Sequence, residues 1–266
     1  MKIAFIGGGN MGEAMLAAAL GKDIAAPAEI SVSDISEPRR RYLEQQYGVT
    51  TTGDNRLAAV KAETVVLAVK PQQIAGVMDS LQGRLEPAQL VISIAAGTRI
   101  ATLCQGLRHR QVVRAMPNTP ARIGSGITAW TATPEVTEEQ KQRAGSILGA
   151  TGREVCFDDE KYLDMATAVS GSGPAYFFLF AESLAGAAVK IGLPPDTAAE
   201  LVLQTILGSA LLMQKSGKQP AELRRMVTSP GGTTAEAIQQ FENGGLAALV
   251  EKAVRAAYEK AGKLGS

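Results

Sequence analysis

The chain has 266 residues, 45% of them hydrophobic, and a formal net charge of +1, which is long for one domain, comfortable for two, and rich enough in apolar residues for a sizeable core. Basic and acidic residues are interspersed, leaving no electrostatic footprint for nucleic acid or an acidic membrane surface, so a small-molecule partner is expected. Cys104, Cys156 and the single histidine, His109, show no metal-ligand spacing, so a metal site is not expected and the compartment reads as reducing.

Lys2 to Ile6 reads as a short buried strand, followed at once by Gly7-Gly8-Gly9-Asn10-Met11-Gly12 and an alanine-rich helix to about Leu20. Strand, GxGxxG and helix is the order a dinucleotide site requires. Gly7 serves the tight turn, Gly9 lets the backbone touch a pyrophosphate, and Gly12 lets the helix pack on the strand. The same glycines break the opening apolar run far short of a signal peptide.

Ile30 to Ser33 is the next strand and ends at Asp34, somewhat farther from the glycines than the usual spacing of about 20 residues. A loop through Pro27 explains the excess. An acid here would hydrogen-bond an adenosine ribose and favour NAD, whereas Ser33, Ser36, Arg39 and Arg40 could instead surround a 2′-phosphate and favour NADP. Both remain open, and Arg39 to Arg41 read equally well as a solvated helix start.

Thr64 to Val69 and Leu90 to Ile94 are continuous apolar runs, as a parallel sheet covered on two faces requires. Their ends carry Lys70-Pro71-Gln72 and Ala95-Ala96-Gly97, which by position line the ligand crevice. Val112 to Ala115 runs into Met116-Pro117-Asn118-Thr119-Pro120, a loop made rigid by two prolines that could hold a nicotinamide ring. His109, between Arg108 and Arg110, reads as an exposed loop residue without a catalytic role. Gly126 to Thr131 and Glu154 to Phe157 read as closing strands around a helix from Glu138 to Leu148. The first domain is therefore expected to span 1–159 and a second 160–266.

From Lys161 the period becomes helical. Ser170-Gly171-Ser172-Gly173-Pro174 interrupts the first helix, with Pro174 placed at the first turn of the next. The helices Ala175 to Ile191 and Asp196 to Lys215 are apolar on more than one face, whereas a helix with a single wet face would carry only a stripe. A second subunit is the natural cover. Glu182 and Lys190 interrupt the run from Pro174, so no span of about 18 uncharged residues exists and a cytoplasmic protein is expected. The final helix shows a stripe of Leu246, Leu249, Val250, Ala253, Val254 and Ala257. Between these helices lies Thr228-Ser229-Pro230-Gly231-Gly232-Thr233-Thr234-Ala235-Glu236. Two glycines allow close backbone approach, Thr233 with Glu236 fits a capping box, and the N–H groups of that helix start would attract a carboxylate. A plain turn between helices would account for Pro230 and both glycines, though not for the hydroxyls around them.

Together these stretches resemble the pyrroline-5-carboxylate reductases over nearly the whole length. The resemblance rests on Phe5-Ile6-Gly7-Gly8-Gly9-Asn10-Met11-Gly12, Ala68-Val69-Lys70-Pro71-Gln72, Arg114-Ala115-Met116-Pro117-Asn118-Thr119-Pro120, Ser170-Gly171-Ser172-Gly173-Pro174-Ala175 and Thr228-Ser229-Pro230-Gly231-Gly232-Thr233-Thr234. It implies an α/β Rossmann-like N-terminal domain with a parallel-rich sheet, an all-α C-terminal dimerisation domain, and NAD(P)H-dependent reduction of 1-pyrroline-5-carboxylate to L-proline. By the same resemblance Gly7, Gly9, Asn10, Met11, Gly12, Asn55, Ala68, Val69, Lys70, Pro71 and Ala95 are expected cofactor contacts, and Met116-Pro117-Asn118 a nicotinamide shelf, of which Met116 and Asn118 also meet substrate. Ser229, Gly231, Gly232, Thr233 and Thr234 are similar to the family's substrate loop, which acts across an interlocked dimer; some members assemble dimers into decamers. Family members vary at Asp34, so NADP or NAD preference does not carry over.

The chemistry needs a hydride aimed at the ring carbon, a gripped carboxylate and a proton near nitrogen. Thr234 is the expected hydrogen-bond partner of that nitrogen, with proximity supplying most of the acceleration. A 3-hydroxyacid dehydrogenase is the rival enzyme class, but its catalytic lysine followed four residues later by asparagine has no counterpart near Ser170 to Ala187. A nucleotide-sensing dimer without turnover is the non-catalytic rival, and the intact hydroxyl-rich loop argues against it.

Overall fold

Eight strands form one sheet in the computed structural model, which describes residues 1–264. They are β1 (Ile3–Ile6), β2 (Ile30–Ser33), β3 (Thr50–Thr52), β4 (Thr64–Leu67), β5 (Leu90–Ser93), β6 (Val112–Met116), β7 (Gly126–Ala132) and β8 (Gly152–Cys156), in the order β3-β2-β1-β4-β5-β6-β7-β8. Pairing is parallel from β3 to β6; β7 reverses against β6 and β8 runs parallel to β7. The crossover helices are α1 (Asn10–Gly21), α2 (Glu37–Tyr47), α3 (Asn55–Ala59), α4 (Ile74–Leu81), α5 (Ile100–Leu107) and α6 (Glu138–Gly149). Because the chain leaves β1 toward β2 and β3 and then crosses to β4, the strand order switches between β1 and β4, where open parallel sheets bind ligands.

Strand alternation divides the core in two. Ile3 and Phe5 face a cluster with Met15 and Leu16 of α1, Leu43 of α2 and Ile147 of α6. Ala4 and Ile6 face the other, with Ala58 of α3, Met78 of α4 and Leu103 of α5. Helix ends follow local chemistry: Ser36 accepts the Arg39 N–H to start α2, Gly48 ends it at φ 68°, and Thr137 with Gln140 forms the capping box of α6. His109 is buried, not exposed as its flanking arginines suggest. Arg108 takes a left-handed conformation at the end of α5 (φ 53°), which turns His109 inward so that its Nε2 donates to the Gln89 carbonyl at 2.7 Å. Burial pushes the imidazole below its ordinary range.

The compact units divide after Ser172, later than the expected boundary at 159/160, and residues 257–264 belong with the first unit. Ion pairs explain why α7 (Lys161–Ala166) and the π-helical turn Thr167–Gly171 stay with the sheet. Arg114 of β6, only 5% exposed, holds Glu160 and Asp164 at 2.8 Å each, and Glu160 also accepts the Ile100 N–H at 2.9 Å. At the other end of the chain, Leu264 packs so closely on Gly97 that a Cβ there would lie 2.7 Å from its own.

The second unit contains α8 (Gly173–Lys190), α9 (Pro195–Ser216), α10 (Pro220–Met226), α11 (Thr233–Asn243) and the first part of α12 (Leu246–Leu264). Phe180 of α8 meets Phe241 of α11 with ring centroids 6.2 Å apart. Phe177, Phe178 and Leu179 of α8, Leu201, Leu203 and Leu207 of α9, and Leu249 and Val250 of α12 lie exposed in the single chain. The stripe on α12 is thus uncovered like the two longer apolar faces. By length and composition α9 is apolar enough to cross a bilayer, and only its Ala198 and Val202 are buried.

Candidate functional site

At the C-terminal ends of β1, β2 and β4 lies a cleft of about 460 Å³. It brings together Gly7, Gly9, Ser33, Asp34, Asn55, Ala68, Val69 and Lys70 from the expected set. Ile35, Gln73, Gly76 and Val77 line it too, and the sequence reading misses them. Ile35 could have been found: it is a large apolar residue directly after the strand-end acid, and it is 86% exposed. The other three sit on the turn and first helical positions after Pro71, where only the fold shows their direction. A hollow of similar size near the opposite strand ends, lined by residues such as Glu63, Gln89 and Arg143, contains none of the expected residues.

The three motif glycines do different work. Gly7 holds φ 100°, and a Cβ on it would lie 2.8 Å from the Ala68 carbonyl oxygen; a Cβ on Gly12 would collide with the Gly7 carbonyl. Those two positions are closed by packing. A Cβ on Gly9 would meet nothing within 4 Å, and Gly9 is the N-cap of α1 with no side-chain cap. The open space before uncapped N–H groups is the shape a pyrophosphate needs, since aligned donors and the helix dipole both favour an anion. Asn10 and Met11 belong to the first turn of α1 and Pro71 opens the following 3-10 turn. None of the three lines the cleft wall.

Asp34 is held at the rim by two backbone donors, Gly8 N–H to Oδ2 at 2.9 Å and Ser36 N–H to Oδ1 at 2.8 Å. Ser33 donates its hydroxyl to Asn55 Oδ1 at 2.7 Å, and Asn55 in turn donates to Ser80 at 3.0 Å. Arg39 faces away from the cleft: its Nε donates to the Gly8 carbonyl at 2.5 Å and its guanidinium pairs with Glu13. Glu13 also accepts from the hydroxyls of Tyr42 and Tyr47, and the phenol of Tyr47 is pushed up to about 12 by burial and by that carboxylate. This hub behind the glycine loop was not apparent from sequence.

Farther along the sheet, Ala95 is buried with its N–H on Ser93 Oγ at 3.3 Å. After β6, Asn118 ties the Met116-Pro117-Asn118 stretch in place by accepting the Ile127 N–H at 3.0 Å and donating to the Ser170 carbonyl at 3.2 Å. A Cβ on Gly171 would lie 3.0 Å from Met116 Cε. The π-helical turn thus backs this stretch, and π turns inside helices concentrate at functional sites.

In the second unit, Ser229 accepts the Gly232 N–H at 3.0 Å and Gly231 takes φ 69°, closing a tight turn. The capping box expected from Thr233 and Glu236 does not form. Gly232 is the N-cap, without a side-chain cap, because α11 starts one residue earlier than that box requires. Thr233 and Thr234 are therefore the first two helical residues, and their N–H groups belong to the set an α-helix leaves without internal partners. Among the described residues no cluster of three or more His, Cys, Asp or Glu side chains could hold a metal ion.

Comparison with known proteins agrees with both halves. Residues 160–264 match a family described as pyrroline-5-carboxylate reductase dimerisation, and residues 2–97 match one described as NADP oxidoreductase, coenzyme F420-dependent. The pyrroline-5-carboxylate reductase of Pseudomonas aeruginosa is 43% identical, over 99% of this chain and 96% of the relative. Among solved structures, the Coxiella burnetii pyrroline-5-carboxylate reductase superposes with a TM-score of 0.91 at 39% identity, covering 100% of this chain and 98% of that one. A Plasmodium falciparum pyrroline carboxylate reductase with NADP bound gives 0.89 at 32% identity, covering 100% and 98%. The match runs unbroken from glycine loop to terminal helix in both sequence and structure, and the chain therefore belongs to the pyrroline-5-carboxylate reductase family.

Proposed function

We propose that the protein reduces 1-pyrroline-5-carboxylate to L-proline with NAD(P)H as hydride donor, the last step of proline biosynthesis. The observation that carries this reading is the open cradle at Gly9, fitted to a dinucleotide, in a chain whose full length aligns with such reductases. NAD(P)H, when bound, would supply the hydride for the carbon of the C=N bond. The residues of this chain do the rest. Gly9 and the first turn of α1 grip the pyrophosphate, and the stretch from Met116 to Asn118 supports the nicotinamide ring. The turn of Ser229, Gly231 and Gly232 and the N–H groups of Thr233 and Thr234 hold the substrate carboxylate. The Thr234 hydroxyl hydrogen-bonds the ring nitrogen. Most of the acceleration comes from holding the reactants in place, because an already protonated imine is strongly electrophilic.

The exposed apolar faces of α8, α9 and α12 are assigned to a partner subunit in a homodimer of the dimerisation domain rather than to a bilayer. Assembly of dimers into decamers and a cytoplasmic location follow from the same reading. Purified protein should oxidise NAD(P)H with the cyclic imine acid and should not reduce NAD(P)+ with 2- or 3-hydroxyacids. A rate no higher than the substrate-free blank would overturn the reading. Thr234→Val should lower kcat/KM by about 30- to 1,000-fold, the effect of losing one positioned donor worth about 2 to 4 kcal/mol.

A further inference from the structure

We propose that Asp34 makes this chain selective for NADH over NADPH, an inference that rests on the coenzyme reading above. Each Asp34 oxygen accepts one backbone N–H, from Gly8 or Ser36. A carboxylate oxygen has two acceptor positions, so one remains open on each. Two open acceptors at the end of β2 match the two hydroxyl donors of an unphosphorylated ribose. A 2′-phosphate offers no such pair and brings about −1.5 to −2 of charge against a carboxylate.

Selectivity for the phosphate would require cations on the cleft wall, and the nearby arginines are bound to groups of the chain itself. Arg39 is bound to Glu13 and the Gly8 carbonyl and lies over the Tyr42 ring, 5.0 Å from its centroid. Arg40 donates through Nη1 to the Asp34 carbonyl at 2.8 Å, and Arg41 pairs with Glu37. None of the three arginines lines the cleft. Lys70 does, but it follows β4, which is separated from β2 by β1, roughly 10 Å across two strand spacings. The Ser33 and Ser36 hydroxyls also have internal partners, Asn55 and the Arg39 N–H. The charged side chain that lines the cleft at its ribose end is therefore Asp34.

The test is equilibrium binding of NADH and NADPH to the full chain without imine, followed by nicotinamide fluorescence and by calorimetry. Wild-type protein is expected to bind NADH at least tenfold more tightly. In Asp34→Ser the ratio of the two dissociation constants should shift at least tenfold toward NADPH. A purely structural role for Asp34 would weaken both coenzymes alike and leave the ratio unchanged. Asp34→Asn, which keeps the size and one carbonyl acceptor, gives the same measurement should the serine variant fail to fold. Equal or tighter NADPH binding by the wild type overturns the proposal, as does an unchanged ratio in a folded variant. Binding of neither coenzyme overturns both this proposal and the function on which it rests.

Discussion

Gly9→Ala separates a glycine kept for a ligand from one kept for the fold. Gly9 sits at φ −66° and ψ −175°, which alanine adopts freely, and its Cβ would meet no protein atom within 4 Å. Two small effects oppose each other: alanine is a poorer N-cap than glycine, but it lowers the entropy of the unfolded chain, each by less than about 1 kcal/mol. The melting temperature should stay within about 4 °C of wild type. Coenzyme binding should not stay. The new methyl would occupy the space where a phosphate meets the first N–H groups of α1, and losing one charge-assisted hydrogen bond costs about 1.5 to 3 kcal/mol. Isothermal titration should then show NAD(P)H binding weakened about 10- to 200-fold. Gly12→Ala is the control, because its Cβ would strike the Gly7 carbonyl and should lower the melting temperature as well as the affinity. A Gly9→Ala protein with wild-type fold and a dissociation constant within about twofold of normal would refute the assignment of that space to the coenzyme.

Three further expectations concern the scaffold. Arg114→Met leaves Glu160 and Asp164, with side chains 27% and 11% exposed, without their cation; it should cost about 3 to 5 kcal/mol and lower the melting temperature by about 10 °C at fixed protein concentration, whereas adding Glu160→Gln and Asp164→Leu should recover most of the loss. For His109, the pKa is lowered in the folded state by burial, so its stabilising contribution is present above the unfolded value of about 6.5 and declines as pH falls below it. His109→Gln should therefore show a shallower loss of stability in urea titrations carried from neutral pH to pH about 5, and an unchanged slope would contradict this. Leu203→Glu places a charge on an α9 position that is 69% exposed in the single chain, and light scattering should find monomers if that face is the subunit contact.

The first strand, glycine loop and helix were legible because each glycine has a steric duty that no other residue can perform, and the fold reproduces two of those duties as near-collisions. The parallel core was legible from apolar runs such as Thr64–Leu67 and Leu90–Ser93. In contrast, β3 is three threonines on the sheet edge and α3 only five residues, too short for hydrophobic periodicity to mark. His109 was misread because its arginine neighbours point outward while a left-handed residue, which sequence does not announce, turns it in. The acidic cluster before α7 reads as a solvated linker and the dimerisation family match begins there, at residue 160, whereas the compact units divide after Ser172 because Glu160 and Asp164 pair with a buried arginine. At the coenzyme site, Asp34 was visible but Glu13 was not; its hold on Arg39 becomes evident only once α1 and α2 lie side by side.

The two ends of the sheet bear on how copies of this chain meet. One edge is β3, barely long enough to pair with anything, and the other is β8, whose exposed Arg153 and Glu154 place opposite charges along the open backbone. Short or charged margins discourage another strand from adding on. Self-recognition is thereby steered away from backbone zippering and toward side-chain packing between helices, so crowding of this protein should yield ordered oligomers before fibrous aggregates.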